Sequence, residues 1–375
     1  MSHLDRRTWL RNSILSAAGM GLSLKGLSEE AVCMPRNILP PDAGIINLGA
    51  NENPYGMSPL AKKAIHDLVD GANRYSFNIP AVQTLGADLA KHWGVDEKQV
   101  IVTPGSGEAL NLLARYFTKG DIVAAKPTFN ILPRTARDLG TKVVEVPLTH
   151  DKVHDLDAMK AAVNAGTTMV YICNPANPTS TVLEPARLRA FVQEVSQRAT
   201  VIVDEAYMEL LDAPYNESLI PLTKDNRNLI ILKTFSKIYA MAGMRVGYVI
   251  AHPDTTKALL GANFGQSSFC VSVLSLAAAI ASLKNMDHAL ATKKQIIEAR
   301  EWTSQQLSSM GYRVIKSYTN FIYYAVPDFK GDFAKHMLEN KILMRSDATI
   351  DGNWARVSVG RMEEMKAFVE VMKKV

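Results

Sequence analysis

Val201-Ile202-Val203-Asp204-Glu205-Ala206-Tyr207 decides the fold. Its apolar residues run on without the in-and-out alternation of a half-exposed strand, which is the pattern of a strand covered on both faces. The run ends in a carboxylate, Asp204, which is costly at the end of a buried strand unless a cation or donor meets it. The other reading of Asp204 is a helix N-cap, where Asp is favoured. Six further runs lie outward from this one: Val100–Thr103, Ile122–Ala125, Val143–Val146, Met169–Cys173, Leu229–Lys233 and Val246–Ile250. Helical patterns separate most of them, over Glu108–Phe117, Ile131–Leu139, Leu156–Asn164 and Glu184–Gln197. This alternation predicts a doubly wound α/β domain, with a mostly parallel seven-stranded sheet and helices on both faces. Ligands of such sheets collect beyond the carboxyl ends of the strands, so the residues following each run carry the information.

Past Pro253 the pattern changes. Longer helices over Ser272–Leu283 and His288–Leu307 lead to short strands at Arg313–Ile315 and Phe321–Val326. A smaller α+β domain is expected from 31–70 together with 271–375, with 71–270 forming the large domain. At 375 residues, 47% hydrophobic, the chain is long enough to bury both cores. The net charge of +5 is spread along the chain without a Lys/Arg block, so no nucleic-acid partner is expected. Cys33, Cys173 and Cys270 lie far apart, two of them in apolar runs, and suggest neither a disulfide framework nor a zinc site. His150 and His154 lack a third ligand at a useful spacing and read as part of a solvated loop.

Residues 1–30 stand apart. Arg6-Arg7-Thr8-Trp9-Leu10-Arg11 precedes an uncharged stretch, Ile14–Leu24, and resembles a twin-arginine export signal. It implies an exported, periplasmic protein. The alternative is an N-terminal arm helix on a cytoplasmic one. The stretch is too short for a stable membrane span, which needs about 20 residues.

The loops after the runs hold the chemistry. Thr103-Pro104-Gly105-Ser106-Gly107-Glu108 is a glycine turn opening a helix, whose free amides and Ser hydroxyl suit a phosphate. Leu110 stands where a dinucleotide fingerprint would want a third glycine. Lys126-Pro127-Thr128-Phe129 offers an aromatic face that either stacks on a flat ring or simply packs. Asn174-Pro175-Ala176-Asn177-Pro178-Thr179 presents Asn177 as an amide donor. A pyridinium nitrogen would satisfy Asp204. Thr234-Phe235-Ser236-Lys237, with Arg245 eight residues on, supplies an amine for an imine and a Ser and an Arg for a phosphate. Lys233 competes with Lys237 but lies inside the strand run.

In this order and spacing the motifs resemble the fold-type I pyridoxal-phosphate aminotransferases of class I/II, most closely the histidinol-phosphate aminotransferase family. The resemblance runs from about residue 45 to the C-terminus. It includes Leu48-Gly49-Ala50-Asn51-Glu52-Asn53-Pro54-Tyr55-Gly56, Asn73-Arg74-Tyr75, Asn177-Pro178-Thr179 and Asp204-Glu205-Ala206-Tyr207. It continues through Ser236-Lys237, Arg245 and Arg356-Val357-Ser358-Val359-Gly360. The resemblance implies pyridoxal 5'-phosphate as cofactor, held as a Schiff base on Lys237. Asp204 would pair with the ring nitrogen, and Tyr207 and Asn177 with its phenolic oxygen. Phe129 would stack on the ring. Ser106, Gly107, Glu108, Ser236 and Arg245 would surround the phosphate. Tyr75 is expected to reach a phosphate across a homodimer interface. On the substrate side the resemblance points to Arg356 for a carboxylate, with Asn177, Tyr55 and Arg345. The implied reaction exchanges an amino group between a histidinol-phosphate-like or aromatic L-amino acid and a 2-oxo acid such as 2-oxoglutarate. The alternative on the same scaffold is a decarboxylase or lyase, like threonine-phosphate decarboxylase.

Two positions and one segment depart from the family pattern. Ser180 replaces the Gly after Asn-Pro-Thr, and Ser76 replaces a Pro after Arg-Tyr. Gly265–Ser272 lacks the Pro-aromatic-Asn-Val type of pattern that borders the substrate side chain in the family.

Overall fold

The computed structural model describes residues 44–349 and 352–375. The twin arginine, the Ile14–Leu24 stretch and Cys33 lie outside those residues. A two-residue strand, β1 (Ile46–Asn47), is followed by helices α1 (Pro59–Leu68) and α2 (Leu85–Trp93). The seven apolar runs then form β2 (Val100–Thr103), β3 (Asp121–Lys126), β4 (Val143–Pro147), β5 (Thr167–Cys173), β6 (Thr200–Asp204), β7 (Leu229–Thr234) and β8 (Gly247–Ala251). They make one sheet in the order β2-β8-β7-β6-β5-β3-β4. Strand β8 is antiparallel to both neighbours, and the remaining pairs are parallel.

Both faces of the sheet are covered, which is why its strands read as unbroken apolar runs. Between the strands lie α3 (Ser106–Tyr116), α4 (Ile131–Asp138), α5 (Leu156–Ala162) and α6 (Pro185–Val195). Ile202 and Ile230 turn to a core shared with Leu110 and Leu113 of α3 and Leu132 of α4. Val201, Val203 and Ile231 turn to the opposite core, with Met159 of α5 and Phe191 and Val195 of α6. Every residue of β7 is buried.

After β8 come α7 (Pro253–Leu259), α8 (Val273–Lys284) and the long α9 (Asp287–Ser309). A second sheet follows from β9 (Val314–Ile315), β10 (Phe321–Ala325), β12 (Arg345–Thr349) and β13 (Gly352–Ser358), in the antiparallel order β12-β13-β10-β9. Strand β11 (Ile342–Leu343), preceded by α10 (Phe333–Glu339), pairs in parallel with β1, and α11 (Met362–Met372) closes the chain. Residues Ile45–Val375 form one compact unit. Within it α8 packs on α1, both in the expected smaller domain, and also on α2 of the expected large domain. No single helix among the described residues is long and apolar enough to cross a membrane.

One loop differs from expectation. His150 is exposed, but His154 is buried, and its Nε2 has no partner among the described residues. The chain turns at Lys152, φ 63°, where the Lys152 amide donates to the Thr149 carbonyl at 2.9 Å, and this turn carries His154 inward. Arg313 fastens the same loop to the second sheet by donating to the His150 carbonyl at 2.8 Å. Cys173 is buried and Cys270 exposed.

Candidate active site

A cleft of about 930 Å³ opens beyond the carboxyl ends of β3, β5, β6 and β7. Residues 49–52 and strands β12 and β13 close its other side. The anion end is built on α3. Gly105 caps that helix with φ 86° and no side-chain bond, leaving the first-turn amides of Ser106, Gly107 and Glu108 available. A Cβ at Gly105 would lie 2.7 Å from an Arg245 amino group, so glycine is what lets the guanidinium sit against the turn. Arg245, itself at φ 51°, is steadied by donating to the Ala242 carbonyl at 2.7 Å. The Ser236 hydroxyl accepts from Thr234 at 3.0 Å. Ser106, Gly107, Ser236 and Arg245 all line the cleft.

Lys237 reaches in from the loop after β7. Its Nζ donates to the Asn51 carbonyl at 3.0 Å and lies 5.4 Å from the centre of the Tyr207 ring. Burial, reinforced by the Arg356 charge, lowers its pKa to about 8, so roughly a tenth is the free nucleophilic amine at pH 7, far more than for an ordinary lysine. Lys233 is different in kind. It is fully buried behind the sheet, ion-paired to Glu209 at 2.8 Å and Glu205 at 3.5 Å, with its ammonium 4.5 Å over the Trp93 ring.

Asp204, 1% exposed, ends β6 at the cleft. One carboxylate oxygen accepts the Ala206 amide at 3.1 Å and the other the Tyr171 hydroxyl at 3.3 Å. Burial nevertheless raises its pKa to about 6, the cost of a desolvated anion facing a cavity. The Tyr207 hydroxyl receives two amide donors, Asn51 Nδ2 at 3.1 Å and Asn177 Nδ2 at 3.3 Å. With those acceptor positions taken, the phenolic proton is left to donate into the cleft. Burial pushes this phenol well above its ordinary range.

Arg356 on β13 donates to Asn177 Oδ1 at 2.6 Å and to the Gly49 carbonyl at 3.1 Å. Its buried Nε has no partner among the described residues. Arg345 stands opposite Arg356 in the β12–β13 register and also donates to Gly49, at 3.3 Å. Phe129 forms part of the facing wall. Ser180, the residue found in place of a glycine, has φ 62°, which explains why glycine suits that position; its carbonyl accepts the Tyr318 amide at 2.9 Å.

Three expected site residues are not on this cleft. Tyr55 is carried away by the Asn53–Gly56 turn, and its ring faces the Arg361 guanidinium at 5.6 Å. The Glu108 side chain turns along its helix to accept from Asn111 at 3.3 Å, so only its amide remains at the anion end. Tyr75 is 73% exposed and stacks on Phe77, outside the cleft of its own chain. None of Gly265–Ser272 lines the cleft either.

Asn51 and Tyr171 were missed by the sequence reading. Asn51 sits at φ 54°, and its side chain also accepts from Ser358 at 3.0 Å, while Asn320 donates to its carbonyl at 3.0 Å. A motif marks Asn51 but not its partners. Tyr171 is hidden inside an apolar run.

The sequence profile of the family "Aminotransferase class I and II" matches residues 43–372. The chain is 34% identical to a histidinol-phosphate aminotransferase of Akkermansia muciniphila, over 88% of this chain and 90% of that one. It is 36% identical to an aromatic amino acid aminotransferase of Mycobacterium bovis, over 87% and 91%. The histidinol-phosphate aminotransferase of Sinorhizobium meliloti, solved in complex with pyridoxal-5'-phosphate, superposes with a TM-score of 0.78 at 26% identity, covering 88% of this chain and 90% of that one. An amine of lowered pKa, a buried carboxylate and a helix terminus without a side-chain cap meet in one cleft of a chain that belongs to the class I and II aminotransferases, pyridoxal-phosphate enzymes that transfer amino groups.

Proposed function

We propose that this aminotransferase takes an amino substrate with an anionic end, of the histidinol-phosphate or aromatic amino-acid kind, and passes its nitrogen to a 2-oxo acid such as 2-oxoglutarate. The observation that carries this reading is the pairing of Arg345 with Arg356 across β12–β13, both lining the cleft. Two planar guanidinium groups side by side suit a carboxylate or a phosphate.

The residues present fit the cofactor. The glycine cradle at Gly105 beside Arg245 would hold a phosphate, and the desolvated Asp204 carboxylate calls for a cationic partner such as a protonated ring nitrogen. When bound, pyridoxal phosphate supplies an electron sink for the bond broken at the substrate's α-carbon. Lys237 would anchor it covalently and then take and return the proton at that carbon, a task suited to an amine titrating near neutrality. Tyr207 and Asn177 would direct donors at the phenolic oxygen, Phe129 would cover a ring face, and Arg356 would orient the substrate through its anionic group.

The test adds histidinol phosphate, aromatic amino acids and glutamate singly to the purified enzyme and follows its visible absorbance. Loss of the resting absorbance, restored by a 2-oxo acid, identifies the donor. Release of carbon dioxide or of an eliminated group, without that restoration, would move the reading to a decarboxylase or lyase.

A homodimer is part of the same proposal. Tyr75, Phe77 and Phe269 are 73%, 56% and 65% exposed and contact one another, with ring centres 5.4 and 6.4 Å apart. An exposed aromatic cluster of this kind suits a protein interface. Phe77→Glu should convert the dimer to a monomer in sedimentation; a wild-type monomer would refute the idea. Export by the twin-arginine route is likewise proposed from Arg6 and Arg7. Replacing both with Lys should abolish it, and unchanged location would rule it out.

A further inference from the structure

Tyr171 is 0% exposed in the middle of β5, a place where phenylalanine would fill the same space without burying a hydroxyl. The hydroxyl is not idle. It donates to Asp204 Oδ2 at 3.3 Å, while Asp204 Oδ1 accepts the Ala206 amide at 3.1 Å. The two donors come from different elements, one from β5 and one from the loop after β6, and each takes one oxygen. Together they fix the plane of the carboxylate. The register places Cys173, not Tyr171, directly opposite Asp204, so the phenol reaches forward along its strand to make this bond. Tyr171 does not line the cleft and touches the chemistry only through Asp204.

We propose that Tyr171 is the positioning residue of Asp204, fixing that carboxylate as an anion and in one orientation for the cofactor's ring nitrogen. The inference rests on the assignment of Asp204 to that nitrogen. A phenol in this place is a constant donor, because burial and the Asp204 charge hold its proton far above the physiological range. The groups that face Asp204 are Tyr171 and Cys173 from β5, Lys237 beyond β7 and Tyr207 from its own loop, while the Lys233 charge acts on it from the other face of the sheet. Burial raises Cys173 and Tyr207, so neither titrates in this range. The cofactor phosphate, with a second pKa of about 6, and Lys237, near 8, add an acid limb common to all variants, and the Asp204 part is what Asp204→Asn removes from it.

The experiment compares wild type, Tyr171→Phe and Asp204→Asn. Affinity for pyridoxal phosphate is titrated against the cofactor-free proteins from about pH 5 to 8, a range spanning the raised carboxylate, with thermal unfolding alongside. Wild-type affinity should fall on the acid side near pH 6 as Asp204 is protonated. Asp204→Asn should bind weakly and lack the Asp204 part of that limb, keeping only what the cofactor phosphate and Lys237 contribute. Tyr171→Phe removes a donor to the charged form, so its limb should move up by about one pH unit or more, with binding roughly tenfold weaker inside the shifted window. A purely structural role would lower the melting temperature and leave the limb in place. If Asp204→Asn removes part of the limb and Tyr171→Phe leaves that part where it was, the role of Tyr171 is refuted and that of Asp204 stands. If Asp204→Asn follows the wild-type pH profile unchanged, the assignment of Asp204 is wrong and the inference falls with it.

Discussion

Gly247→Ala should damage the cofactor site from behind, without replacing a residue that lines it. Gly247 opens β8 and is held from both sides, opposite Thr103 of β2 and Thr234 of β7. A Cβ there would lie 2.5 Å from the Ser106 amide nitrogen, 2.7 Å from the Gly105 carbonyl carbon and 2.9 Å from the Gly105 Cα. To reach the 3.4 Å at which contact becomes ordinary, the N-terminus of α3 must rise by about 0.9 Å. The obstructing atoms are backbone, so no side chain can swing away, and the cost belongs at the upper end for overpacking, about 3 kcal/mol. For a unit of this size that corresponds to a fall of about 4 °C in melting temperature. The lifted turn carries the amides of Ser106 and Gly107, so affinity for pyridoxal phosphate should fall by roughly tenfold or more, the loss of one or two charge-assisted bonds. Scanning calorimetry with and without cofactor, and a cofactor titration, measure both effects. Gly261→Ala, where a Cβ meets nothing within 4 Å, is the control and should behave as wild type. A Gly247→Ala protein that melts and binds cofactor like the control would refute the argument.

Three further outcomes are expected. Lys237→Ala should lose covalently held cofactor, seen as absorbance lost on gel filtration, and turnover should fall by about a thousandfold, the range of a positioned acid–base group. Arg356→Lys keeps the charge but cannot span both Asn177 and Gly49, so kcat/KM should fall roughly tenfold to a hundredfold, mostly through KM; steady-state kinetics checks this. Burial lowers the pKa of His154 from 6.5 to about 4, so between those values the unfolded chain binds the extra proton, and stability from this group is lost as pH falls from 6.5 towards 4. The full loss is about 3 kcal/mol. The melting temperature of His154→Leu relative to wild type should therefore rise as pH is lowered from about 7 to 4.5, and a constant difference would contradict it.

Much of this architecture was legible in the chain because burial on two faces removes alternation. The run Val100–Thr103 became β2 unchanged, and the other six strands differ from their runs by a residue or two at either end. The choice of Lys237 over Lys233 was also legible, since a lysine inside a buried run must be neutralised there, as Glu209 and Glu205 do. An apolar run carries no direction, however, so nothing marked β8 as antiparallel. Tyr171 was invisible for a related reason: within Met169–Cys173 a tyrosine looks like one more large apolar residue, and only the neighbouring strand reveals its hydroxyl's partner. Tyr55 failed in the opposite sense, because a motif names a residue without saying which way the next turn will point it.

The bonds around Asn51 bear on when the enzyme becomes an enzyme. Asn51 bonds Ser358, 307 residues away, and Lys237, 186 residues away. Lys237, Asp204 and the α3 turn can come together once β2 to β8 have been made, but the two cleft arginines and the last tether of Asn51 come from the final two strands, Arg345 on β12 and Arg356 and Ser358 on β13. Contacts this distant along the chain form late, after the loop-closure entropy between them has been overcome. A ribosome-bound chain that has not yet released β12 and β13 thus has Lys237 in place but neither cleft arginine, and that wall of the cleft is the last part the protein acquires.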